Sequence, residues 1–155
     1  MGTTTFTGPI KAGDVLNTTG STAGSVANVG YSVMAQSVAI TQSATAAATA
    51  ICIPANSQIL EITAYVTVGF TGAAGTLNVG TSATSTELVI AANFDLAAVG
   101  VASASPGTSA TRTAAWIDVG ANDVIIYVKA ANAPVTTTGA AILTVRYVQA
   151  NNLTA

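Results

Sequence analysis

Gln58-Ile59-Leu60-Glu61-Ile62-Thr63-Ala64-Tyr65-Val66-Thr67-Val68 is the stretch that decides the fold. Leu60, Ile62, Ala64, Val66 and Val68 alternate with Ile59, Glu61, Thr63, Tyr65 and Thr67. Successive side chains of an extended chain point to opposite faces. A period of two over this length therefore predicts a strand with one wholly apolar face. Pro54-Ala55-Asn56-Ser57 ahead of it is made of turn residues. After Phe70, Thr71-Gly72-Ala73-Ala74-Gly75 predicts a hairpin loop into a second strand, where Leu77 and Val79 share a face.

The same pattern recurs on both sides. Strands are predicted over 33–41, 47–53 and 88–91, and over 114–119 leading through Gly120-Ala121-Asn122-Asp123 into 124–129. In the last of these, Val124, Ile126 and Val128 oppose Ile125, Tyr127 and Lys129. A strand over 142–149 closes the series, with Leu143, Val145 and Tyr147 opposing Thr144, Arg146 and Val148. Residues 101–111 and 130–140 carry Ser, Thr, Gly and Pro and are predicted loops. Helix has little support, beyond a turn or two within 91–98. Residues 1–30 hold few large apolar groups (Phe6, Ile10, Val15, Leu16, Val26 and Val29) and are predicted to be an extended N-terminal arm or edge segment. Residues 31–155 then form a single β domain, an all-β antiparallel sandwich with jelly-roll-like character.

Composition narrows the chemistry. Only 6% of the 155 residues are charged and none is histidine, against about 25% charged in an average domain. A Ser-His-Asp or Cys-His site cannot be built without His, and a single cysteine cannot make a thiolate metal site. No catalytic, cofactor-binding or metal-binding residue is assigned. Cys52, inside Ala50-Ile51-Cys52-Ile53-Pro54, is predicted to be a small buried hydrophobe. The cations Lys11, Arg112, Lys129 and Arg146 are dispersed, so no nucleic-acid partner is expected. No apolar run approaches the ~18 residues of a membrane span, and no membrane partner is expected. Met1-Gly2-Thr3-Thr4-Thr5-Phe6 lacks the basic and apolar regions of a secretion signal, so a soluble protein made in a cytoplasm is expected.

Two groups of residues stand out for contact. Asp118 and Asp123 flank the predicted turn, with Asn122 within it and Trp116 nearby; together they could present a glycan-binding tip. Turns also select Asp and Asn for their backbone chemistry alone. The second group, Phe6, Ile10, Val15 and Leu16, would anchor the N-terminal segment on a partner or a neighbouring subunit. A surface with so little charge is weakly defended against self-association, which points to a protein that lives in an assembly.

Ile53-Pro54-Ala55-Asn56-Ser57-Gln58-Ile59-Leu60-Glu61-Ile62, Phe70-Thr71-Gly72 and Thr76-Leu77-Asn78-Val79-Gly80-Thr81 resemble segments of small virion proteins of tailed bacteriophages. So does the opening Phe6-Thr7-Gly8-Pro9-Ile10-Lys11-Ala12-Gly13. These are the decoration (cement) and head-fibre-like proteins of the outer capsid surface. The resemblance implies a β-sandwich or jelly roll, homotrimers near capsid three-fold positions, the major capsid protein as partner, and no enzymatic activity. It also implies synthesis in the host cytoplasm and a final place on the virion. A receptor- or glycan-binding knob of a fibre or capsid is the alternative from another functional class.

Overall fold

A computed structural model describes residues 33–71, 75–130 and 138–149. The arm 1–30 and its anchors Phe6, Ile10, Val15 and Leu16 lie outside the described residues. The strands are β1 (Val33–Thr41), β2 (Ala47–Ile53), β3 (Ser57–Val68), β4 (Leu77–Gly80), β5 (Gly100–Ser103), β6 (Val124–Ala130) and β7 (Ala140–Gln149). One helix, α1, spans Ala110–Ile117, and a 3-10 turn spans Ala91–Asn93. Every strand pairing is antiparallel. One sheet has the order β1-β7-β3-β5 and the other β2-β6-β4. The expected all-β sandwich is thus the observed fold. All described residues fall in one compact unit, Ser32–Ala150.

Alternation builds the core between the sheets. Leu143, Val145 and Tyr147 of β7 are buried, as are Ile62, Ala64 and Val66 of β3. Ile51 and Ile53 of β2, Leu77 and Val79 of β4, and Ile126 and Val128 of β6 meet them from the other sheet. Phe70, Leu88, Val89, Phe94 and Leu96 fill the same cluster from connecting segments. Burying an Ile, Leu or Phe side chain stabilises by roughly 1.5–3 kcal/mol each.

Several expectations are corrected. First, the apolar face of β3 does not run unbroken. The pairing with β7 shifts register between Ile59 and Glu61. This bulge turns Ile59 inward and leaves Leu60 42% exposed. A second shift between Val66 and Val68 leaves Val68 exposed as well. Second, residues 114–119 are not a strand. Ser109 caps a helix by accepting the Arg112 N–H at 3.4 Å, and Ala at 110, 114 and 115 favours helix. Third, the predicted loop 101–111 opens with strand β5, which pairs with residues 63–66 on the free edge of β3. The predicted strand 88–91 is reduced to one bridge, Val89 to Val79, before the 3-10 turn. Fourth, Cys52 is exposed, because alternation directs Ile51 and Ile53 inward.

Candidate functional site

Trp116, Asp118, Asn122 and Asp123 fall where α1 returns to the sheets. The Trp116 indole donates to the Leu88 carbonyl at 3.0 Å, and the ring packs against the core. Asp118 accepts the Gly120 N–H at 2.8 Å and so closes its own turn. Asp123 accepts the Ala55 N–H at 2.9 Å, and Asn56 donates its N–H to the Gly120 carbonyl at 2.8 Å. The turn 118–123 is thereby joined to the β2–β3 turn. Asn122 is exposed at the tip. Three of the four residues hold structure together.

The other described carboxylates are also engaged locally. Asp95 accepts the Ala97 N–H at 2.9 Å, and Glu61 pairs with Arg146 at 2.8 Å. Glu87 is the most tightly held. It accepts from the hydroxyls of Ser82 and Thr84 and from the N–H groups of Thr81 at 3.2 Å and Thr86 at 3.0 Å. Burial pushes its carboxyl pKa up, but the hydroxyls of Ser82 and Thr84 and the backbone N–H groups of Glu87 itself and Thr81 outweigh burial and hold it at about 2. Among the described residues no group of three or more His, Cys, Asp or Glu could hold a metal ion.

Two glutamines bind backbone in the same way. Gln36 of β1 stands opposite the buried Val145 and so faces the other sheet. Its Nε2 donates to the Cys52 carbonyl at 2.6 Å and to the Tyr147 hydroxyl at 2.9 Å. Its Oε1 accepts the Cys52 N–H at 3.0 Å. The carboxamide thus binds both backbone groups of one residue on β2, an edge strand, as a neighbouring strand would. Gln42 repeats this on Thr71, donating to its carbonyl at 2.6 Å and accepting its N–H at 3.1 Å. Between β1 and β2 lies a cavity of about 240 Å³, walled by residues such as Val38, Thr41, Ala47 and Ala50 and reaching Leu77 and Val128.

The outer face of the four-stranded sheet has the strongest surface character. Its register sets side chains from separate strands into rows. Ala39, Ile142, Tyr65 and Val101 form one row across all four strands. The three larger members are exposed by 44%, 54% and 74%, respectively. The next row is hydroxylic: Ser37, Thr144, Thr63 and Ser103, with Ser37 and Thr144 hydrogen-bonded at 2.9 Å. Ala35, Arg146 and Glu61 follow, and their ion pair leaves this row neutral. Val33, Val148 and Gln58 make a fourth. A solvated antiparallel face is ordinarily polar, so this exposed apolar row is a departure from that pattern. Sequence reasoning missed it. Only the register places Tyr65 and Ile142 side by side.

No known protein-family model matches the chain, and no curated protein matches its sequence. Among solved structures, it is similar to a chain of "Cyanophage Pam1 capsid asymmetric unit", with a TM-score of 0.57 and 18% identity. The match covers 91% of this chain and 100% of that one. At that identity the likeness is one of fold: the architecture described above is shared with a chain of similar length.

Proposed function

We propose that the protein is a non-enzymatic structural component of a bacteriophage virion, and in that role a decoration protein. It binds the outer capsid surface and ties major capsid subunits together. The observation that carries this reading is the fold likeness to a chain of a cyanophage capsid asymmetric unit, a match that covers 91% of this chain and 100% of that one. The local, structural use of the described carboxylates agrees with it. Binding to the assembled shell stabilises the shell by linkage, because a ligand of the assembled state shifts the equilibrium toward it. A homotrimer presents three such contacts at once, and residues 1–30 add a further contact through Phe6, Ile10, Val15 and Leu16.

Purified protein incubated with capsids that lack it should bind in a fixed number of copies per capsid and raise the temperature at which the capsids open. Absence of binding overturns the role. Deleting residues 1–16 should lower affinity by roughly tenfold or more, about 1.4 kcal/mol, with the domain still folded; undiminished occupancy would refute the arm. The alternative, a glycan-binding knob, has less geometric support, since Trp116, Asp118 and Asp123 already hold backbone groups. Specific retention on a glycan array, lost on substituting Asn122, would favour it.

A further inference from the structure

We draw no further inference here: the strongest candidate, the exposed apolar row of Tyr65, Ile142 and Val101 on the outer face of the β1-β7-β3-β5 sheet, lies on a surface for which nothing in the structure shows what covers it.

Discussion

Glu87 shows how one carboxylate can organise a loop without any catalytic part. Four donors from residues 81–86 converge on it, and this approach requires Gly80. A Cβ there would stand 2.6 Å from the Ser85 Cα and collide with the Glu87 carboxylate. The folded pKa of about 2 lies below the ordinary 4.5. The stability it contributes is present above the unfolded value and is lost as pH falls from about 4.5 toward 2. Glu87→Gln should cost about 1–2 kcal/mol at neutral pH, by the usual worth of hydrogen bonds to a charged group. That corresponds to a melting-point drop of about 3–6 °C. Thermal melts across pH should show wild type approaching the variant in that acid window. A gap that stays constant down to pH 2 would rule out the carboxylate as its source.

At the level of elements, the Gln36 carboxamide stands in for a strand. Gln36→Ala should lower stability by about 1–2 kcal/mol, since water can replace part of what is lost at an exposed edge. Amide exchange at Cys52 should speed up while exchange at Ile126 in the core is unaffected; equal acceleration at both would indicate general loosening instead. The two positions also divide what the sequence makes legible. Around Ile126 and along β7, apolar and polar residues alternate, and the inward set was readable before any pairing was known. At Ile59-Leu60 both residues are apolar, so the pattern cannot say which one a bulge turns inward. The sequence around α1 hides its helix behind β-branched Thr111, Thr113 and Ile117. What secures it is the Trp116 contact with Leu88, 28 residues earlier in the chain. β5 offers one large residue, Val101, and owes its pairing to the free edge of β3. The Ala39–Ile142–Tyr65–Val101 row depends on register among four distant segments, which alternation alone does not encode.

For the molecule as a whole, the shortage of charge changes how association should respond to its surroundings. Ionic contacts weaken as added salt shortens the screening length from about 10 Å at 0.1 M, whereas apolar burial does not. Capsid affinity should therefore vary by less than about threefold between 50 mM and 500 mM NaCl. A tenfold fall over that range would show that ionic contacts dominate. The same shortage creates a hazard at strand edges, where proteins commonly place lysine to repel a second chain. β1 and β2 are both edge strands, and from Val33 to Ile53 there is no charged residue. Gln36 guards Cys52 by occupancy: its carboxamide fills the hydrogen-bonding positions that an invading strand would need. Such a plug works at any ionic strength. It lets a nearly uncharged β protein accumulate at high concentration with less risk of strand-by-strand aggregation.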